Sequence, residues 1–255
     1  VKPFARSSLY LFAVLLIWFV LAAVIDSVWV LPDPWAVLDR LGSFLADPGM
    51  LASIALTLIR LLLALSASFV IGGAMGVWAG LRPKVAFLTQ PIATVFRTIP
   101  VVSIIVLVLL MFGFRAAPYV ITFLMLVPIN YQAAKEGVAS VDSELVDVYR
   151  LDDDHPIRMA WRCYLPLMAG YLRTALLQSA GLGVKVLVMA EYLAQTPNSI
   201  GEALHLARTN IDIAGVFAWT VLLIAISLLF EHLIQRSRKW LETSKPHPRV
   251  RSPLE

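Results

Sequence analysis

Four charged side chains stand inside apolar stretches of this sequence: Arg60, Arg97, Lys185 and Glu191. A charge at the centre of a bilayer costs about 2.5–3.5 kcal/mol on insertion scales. The Leu, Ile and Val residues around Arg60 offset one such cost at about 0.3–0.6 kcal/mol each. These groups must therefore face other helices or water rather than lipid. Two chemistries fit. Arg60, Arg97 and Lys185 can act as successive attractors along a path for an anionic solute. Alternatively, Glu191 pairs with Arg60 or with Lys185 and the pair fixes helix register. Glu191 and Lys185 are six positions apart and share no helix face. Arg60 and Glu191 can meet across two helices.

Nothing in the sequence argues for catalysis on this chain. His155, His205, His232 and His247 lack metal-ligand spacing, and there is no H-E-x-x-H and no Ser-His-Asp set on one face. The lone Cys163 excludes a disulfide within the chain and an all-cysteine metal cluster. No Gly-rich phosphate loop ends in Lys-Ser or Lys-Thr, so any ATP hydrolysis belongs to a partner.

A second patterned segment lies between about Lys135 and Tyr171. It is too polar to span a membrane and too regular for a plain loop. The pattern predicts two short amphipathic helices over about 142–166. Asp142 suits the first cap and Glu144 the first turn. Leu145, Val148 and Tyr149 then fall at i, i+3 and i+4. The acid run Asp152 to Asp154 breaks the pattern, either as a metal- or Arg-binding patch or as a solvated turn. The second helix caps near Asp154 or His155, with Pro156 in its first turn, where a missing N–H costs nothing. Ile157, Ala160, Trp161, Tyr164 and Leu165 share one face, with Arg158 and Arg162 outside it. Pro166 is expected to stop that helix. Such a pair either docks a partner at the membrane surface or floats its apolar face among headgroups.

The elements that must position these groups follow from composition. Of 255 residues, 59% are hydrophobic and only 15% are charged, and mean hydropathy is +0.79. A soluble domain is roughly 45–50% apolar and about 25% charged. The balance excludes a soluble enzyme, a disordered chain and a secreted disulfide scaffold. The net charge of +4 has the sign of a nucleic-acid binder, but basic loops of a bilayer protein give the same sign. No nucleic-acid partner is expected. The predicted class is all-α: a polytopic membrane protein of about six transmembrane helices in one domain over 1–255. The spans are read at about 9–30, 51–81, 87–114, 117–132, 172–193 and 213–234, since only helices satisfy the backbone in lipid. The basic start of the first run resembles a signal peptide, but the run is too long and is read as an uncleaved span. With both ends inside, 15 of the 21 basic residues fall in cytoplasmic segments and 3 outside, so both ends are expected in the cytoplasm. Gly72, Gly76 and Gly80 form two G-x-x-x-G steps on one face, for close helix packing in the bundle or for a dimer contact or gate. Gly181 and Gly183 suggest a bend or close crossing, and Pro100 a kink in the third span.

At this point the sequence resembles a family: the permease subunits of bacterial binding-protein-dependent ABC importers, in the branch that carries nitrate, sulfonates and taurine. Their cytoplasmic coupling loop reads Glu-Ala-Ala, three residues, Gly, then Leu-Pro about a dozen residues later. Counting back from Leu165-Pro166 puts the Gly position at Asp153 and the Glu-Ala-Ala positions at Asp147, Val148 and Tyr149. The spacing and the Pro are kept; the small residues are not. LPDPWAVLDRL (Leu31 to Leu41) is similar to the segment after span one in that branch. Ala52 to Leu81, FRTIPVVSIIVLVLLMFG (Phe96 to Gly113) and VLVMAEYLAQTPNSIGEAL (Val186 to Leu204) resemble its second, third and fifth spans. The resemblance implies the type I importer fold and alternating access driven by a partner's ATP. It implies ATPase subunits holding ATP and Mg, an extracytoplasmic solute-binding protein and a second permease copy or paralogue, all at the bacterial inner membrane and its lipid. Coupling contacts would fall on Asp147, Val148, Tyr149, Asp153, Trp161, Leu165 and Pro166. The solute would be a small anion, sulfonate- or nitrate-like, or a small heterocyclic nutrient. Two other readings stand beside it: an ion-gradient-driven secondary transporter, and a divergent, non-transporting membrane partner.

Overall fold

The computed structural model of the chain describes residues 3–152 and 155–243. Among these the secondary structure is helical throughout. In chain order the helices are α1 (Pro3–Ile25), α2 (Pro34–Ala46), α3 (Pro48–Leu81), α4 (Pro83–Thr98), α5 (Val101–Ala139), α6 (Ser143–Asp152) and α7 (Pro156–Met159). A π-helical turn (Ala160–Tyr164) leads into α8 (Leu165–Leu167), α9 (Ala169–Ala194), α10 (Ile200–Thr209) and α11 (Ile213–Thr243).

By length and apolarity, α3, α5, α9 and the 213–236 part of α11 can each cross a bilayer. Helix α5 is not one rod. Gly113 has φ 71 and ψ 175, a left-handed, non-helical conformation that glycine adopts without a Cβ penalty. Ile104, Ile105 and Val108 before it share one core cluster with Ala117, Ile121 and Met125 after it, and with Val186 and Ala190 of α9. In an unbroken helix residues 105 and 121 would lie about 24 Å apart. The chain therefore reverses at Gly113 into two antiparallel limbs, 101–112 and 114–139.

The expected third span begins in α4 and is broken at Ile99-Pro100. Ile99 takes ψ 134, as a residue before proline should, and the chain resumes as the first limb. Thr89 Oγ1 lies 2.8 Å from Tyr131 Oη, and Lys135 donates to Gln90. Phe96, further along, packs with Ile121 and Met125, so α4 also runs antiparallel to the second limb, and α4 plus the first limb form one interrupted crossing. The helix at the expected fourth span reaches Ala139 rather than Gln132. At the first span the helix ends at Ile25, not Val30. Asp26 turns left-handed at φ 46, and residues 28–30 form a turn.

The second limb of α5 is the axis of the bundle. Helix α3 packs along it in parallel, through the glycine steps. A Cβ on Gly72 would sit 2.7 Å from the Val127 carbonyl oxygen, one on Gly76 would overlap the Tyr131 carbonyl, and one on Gly80 would sit 2.7 Å from Val138 Cβ. Of the readings open for these glycines, this one is packing within the bundle. On α9 the close crossing falls to Gly183, whose added Cβ would meet Leu61 Cδ1 at 3.0 Å; Gly181 faces open space. Asn130 on the axis joins three helices: its Nδ2 donates to Ser68 Oγ at 3.3 Å, and Ser179 Oγ donates to its Oδ1 at 3.2 Å. All three are buried, where an unmet polar group would be costly.

One end of the bundle carries α2, the Gly113 turn and α10. The opposite end carries the α3–α4 junction and the α6–α8 segment. Trp219 is buried in the core, stacked on Phe44 of α2 at 4.5 Å between ring centroids.

Candidate functional site

At the α6–α8 end, Asp142 begins α6 as its sequence suggests. Its Oδ1 accepts from the Glu144 amide at 3.0 Å. The partner helix starts as expected near His155, whose carbonyl accepts from the Met159 amide at 3.0 Å. The two helices meet through Val146, Met159 and Cys163, all buried, with Val141 and Tyr164 packed beside them. The expected face of the second helix is thus wrong. Cys163 is fully buried while Trp161 is 68% exposed. Nor does Pro166 end the helix. The Leu165 amide donates back to the Ala160 carbonyl, five residues earlier. That wider turn relieves the clash between a proline ring and the carbonyl four residues before it. The break comes two residues later, at Met168 (φ −89, ψ 4).

The outward side of α6 is apolar and uncovered. Leu145, Val148, Tyr149 and Leu151 are exposed, Leu151 by 89%. Acidic groups flank them; Asp147 pairs with Arg150 at 3.1 Å, with both side chains mostly exposed. Among the other residues named for coupling, Trp161 and Leu165 are exposed and Pro166 lies in α8. Asp153 and Asp154 lie outside the described residues. Burial pushes the Cys163 thiol up from its ordinary range.

The four charges inside the apolar stretches separate into two groups. Arg60 and Glu191 come together. Arg60 Nη1 donates to Glu191 Oε1 at 2.9 Å, with Glu191 wholly buried. Thr57 Oγ1 donates to the same carboxylate at 3.0 Å, and the Gly201 amide lies 3.4 Å from Oε2. The guanidinium also donates to the Asn198 and Pro197 carbonyls, each at 3.2 Å. This clasp ties α3, α9 and the start of α10. Of the two chemistries left open by the sequence, Arg60 and Glu191 take the structural one.

Arg97 and Lys185 are not in it. Neither has an ion pair or side-chain hydrogen bond among the described residues. Lys185 is exposed on α9, midway along an apolar span. The same helix face carries Thr174 and Gln178, at i and i+4, with Lys185 at i+11. Arg97 lines a cavity of about 610 Å³ between α4, the second limb of α5 and the start of α9. Gln132, Glu136, Tyr171, Thr174 and Gln178 supply its polar wall. Sequence reasoning passed over Gln132, Glu136, Thr174 and Gln178. The available signal was polar side chains at helical spacing, 132 and 136 on one helix, 174 and 178 on the other.

The arrangement defines a class: a polytopic helical protein with an open cavity, polar along one wall, on the side of the bundle and a helix pair at one end. Residues 68–243 match the family described as binding-protein-dependent transport system inner membrane component. The chain belongs to this family and is an ABC transporter permease. It is 26% identical to the taurine transport system permease of Escherichia coli (strain K12), over 82% of this chain and 80% of the relative. It is 23% identical to the glycine betaine/proline betaine transport system permease of Salmonella typhimurium, over 74% of this chain, spanning about half (55%) of that relative's length. A probable ABC transporter permease of Brucella abortus (strain 2308) is 25% identical over 88% of this chain and 91% of its own length.

Proposed function

We propose that this chain is the membrane-spanning subunit of an ATP-driven importer for a small solute, working by alternating access. The observation that carries the reading is the uncovered apolar knob of α6, Leu145, Val148, Tyr149 and Leu151, on a stiffened helix pair. A patch of that kind on a rigid support is what a partner subunit grips. The partner is an ABC ATPase that holds ATP and Mg; this chain holds neither. Asp147, Val148, Tyr149 and Asp153 form the contact, with Trp161, Leu165 and Pro166 behind it. ATP-driven closure of two ATPase subunits rocks the bundle through this handle.

Lys185 on a membrane-crossing face calls for cover other than lipid. A second copy or a paralogue supplies it, and Arg97 and Lys185 then border the path. An extracytoplasmic binding protein delivers the solute at the α2–α10 end. Both ends of the chain lie in the cytoplasm of a bacterium, which agrees with the distribution of basic residues. The relatives named for taurine and for betaines, together with the cationic groups left free on the path, favour a small solute with an anionic group. An ion-gradient mechanism would need a titrating intramembrane acid, and Glu191 is committed to Arg60 and Thr57.

The test is cysteine crosslinking in the assembled complex. A Tyr149→Cys or Asp153→Cys chain should link to the ATPase subunit, and removing that subunit should abolish uptake. Uptake that continues in ATP-depleted, energised vesicles would overturn the proposal.

A further inference from the structure

A second cavity, about 240 Å³, lies on the α3 side of α4 and shares no lining residue with the one that Arg97 borders. Ile71 and Met75 of α3, Ile92 and Phe96 of α4, and Leu124 and Val127 of the second α5 limb wall it. Ile71, Met75 and Ile92 are each more than a third exposed, so the slot opens on the flank of the bundle. Its two hydroxyls are already engaged. Thr89 Oγ1 donates to the Val85 carbonyl at 2.8 Å and lies 2.8 Å from Tyr131 Oη. A buried water needs roughly 2–4 polar partners, so hydrocarbon suits this slot and water does not. The Thr89–Tyr131 end points to the α3–α4 junction, where three cations gather. Lys135, one turn beyond Tyr131 on the same helix face, donates to Gln90, next to Thr89. Arg82 follows the end of α3, whose Gly80 touches that stretch: an added Cβ there would sit 3.2 Å from the Lys135 carbonyl oxygen. Lys84 stands in the first turn of α4. Neither Arg82 nor Lys84 has an ion pair among the described residues. No Asp or Glu occurs between Asp47 and Glu136, and Glu136 lines the other cavity.

We propose that this slot binds one anionic phospholipid, with the phosphate at Arg82, Lys84 and Lys135 and one acyl chain lying along Ile71, Ile92 and Phe96. The site goes beyond the transport reading, since it involves neither the Arg97 cavity nor the α6 knob. Its depth fits. Thr89 to Phe96 is about 10 Å of helix, which stays within one leaflet of a hydrocarbon core roughly 30 Å thick. The cations then stand at the headgroup level of the leaflet at the α6–α8 end. On α3 the stripe Ile71, Met75, Trp78 ends at Arg82, and Trp78 is exposed. Apolar, amphipathic and charged side chains thus follow one another in the order of a lipid from tail to headgroup. Basic pockets between membrane helices hold phosphate headgroups in this way. A neutral lipid fills the slot but brings the three cations no net counter-charge. A free phosphate meets the cations but leaves the slot empty. A lipid with a net negative headgroup satisfies both.

The experiment uses the full chain in a non-ionic detergent and reads thermal stabilisation by added lipid, which follows mass action. The probes are dioleoylphosphatidylglycerol, dioleoylphosphatidylcholine and glycerol phosphate, at constant ionic strength. Phosphatidylglycerol should bind at least about tenfold more tightly than phosphatidylcholine, a difference of ~1.4 kcal/mol. Glycerol phosphate at the same concentration should not stabilise. The triple variant Arg82→Gln/Lys84→Gln/Lys135→Gln should bring the two lipids level. Ala93 lines the slot, so Ala93→Trp should fill it and weaken phosphatidylglycerol by about tenfold or more with every cation kept. Ala93→Leu, a smaller filling, should produce part of that loss. Helix content and the lipid-free melting temperature identify any variant that fails to fold. Equal binding of the two lipids by the unaltered chain overturns the proposal. So does glycerol phosphate binding as tightly as phosphatidylglycerol, or a preference that neither Ala93 variant weakens, which would be surface charge alone. A disulfide that joins two Ile92→Cys chains quantitatively in proteoliposomes also overturns it, because a second copy then covers the slot. None of these outcomes bears on ATP-driven uptake, so the two readings fail separately.

Discussion

Glu191 is a carboxylate with no access to solvent, held by one guanidinium, one hydroxyl and, at longer range, the Gly201 amide. Breaking a buried pair from one side is costlier than removing both partners, because a lone charge is left behind. Arg60→Met should therefore destabilise the bundle by about 3–5 kcal/mol. The double variant Arg60→Met/Glu191→Met should recover most of that loss, as read by denaturant unfolding in micelles. Lys185 belongs to another category. Its side chain is exposed on the isolated chain, so Lys185→Leu should shift stability by no more than about 0.5 kcal/mol. The same change should cut ATP-driven uptake by roughly tenfold or more. Unchanged uptake would remove Lys185 from the path. The Arg60–Glu191 pair is half legible in the sequence: both residues stand toward one end of their spans, so pairing is open to them. What decides it is the turn at 195–199, which brings the Pro197 and Asn198 carbonyls to the guanidinium. Backbone acceptors in a loop leave no trace in residue types.

At the scale of elements, small residues and prolines do most of the sorting. Gly76→Ala should cost about 1–3 kcal/mol by forcing α3 away from the Tyr131 carbonyl. Gly73→Ala, off that face and with nothing within 4 Å, should be neutral or gain up to about 1 kcal/mol of helix propensity. Comparing the two melting temperatures isolates the close approach from the loss of glycine itself. The α6–α8 pair shows where periodicity misleads. A 3.6-residue repeat puts Ile157, Trp161 and Leu165 on one stripe and Met159 and Cys163 on another, and the repeat alone does not say which apolar stripe is buried. The buried contacts fall on Met159 and Cys163 instead. The apolar stripe on α6 is real, but it is the uncovered one, since Val146 makes the internal contact. Cys163 gives the pair a pH dependence. Its raised thiol means that the folded state holds the proton more tightly than the unfolded chain. The contribution is complete below the unfolded value, ~8.5, and is lost as pH rises through the folded one. Protease cleavage within 142–168 should therefore accelerate above about pH 9, and Cys163→Ala should flatten that rise.

For the whole molecule, the order of the apolar stretches and the all-helical class are readable because lipid leaves the backbone few options. Less visible are α2 and α10, the short amphipathic helices of the other end. Each carries too few apolar residues to register as a span, and each gains its place from contacts distant in sequence. Arg40 of α2 reaches Asp212 at the entry to α11, 172 residues away. Ser199 caps α10 by accepting from the Glu202 amide at 2.9 Å. The two ends of the bundle should face opposite compartments. Trp35→Cys on α2 and Tyr149→Cys on α6, both at exposed positions, should react with a membrane-impermeant maleimide from opposite sides of sealed vesicles. Labelling of both from one side would refute the topology.

Gly113 bears on how such a chain enters a membrane at all. The limb before it has twelve residues, about 18 Å of helix against a hydrocarbon thickness of roughly 30 Å. Alone it would leave a gap, and α4, which must complete the crossing, carries Thr89, Gln90 and Arg97. Residues 83–112 are thus a poor candidate for release into lipid as they emerge from a translocon. They need the 114–139 segment, whose Tyr131 and Lys135 meet Thr89 and Gln90. The ribosome must deliver the whole hairpin before any of it can leave the protein-conducting channel, and so biogenesis here should proceed in one late, paired step.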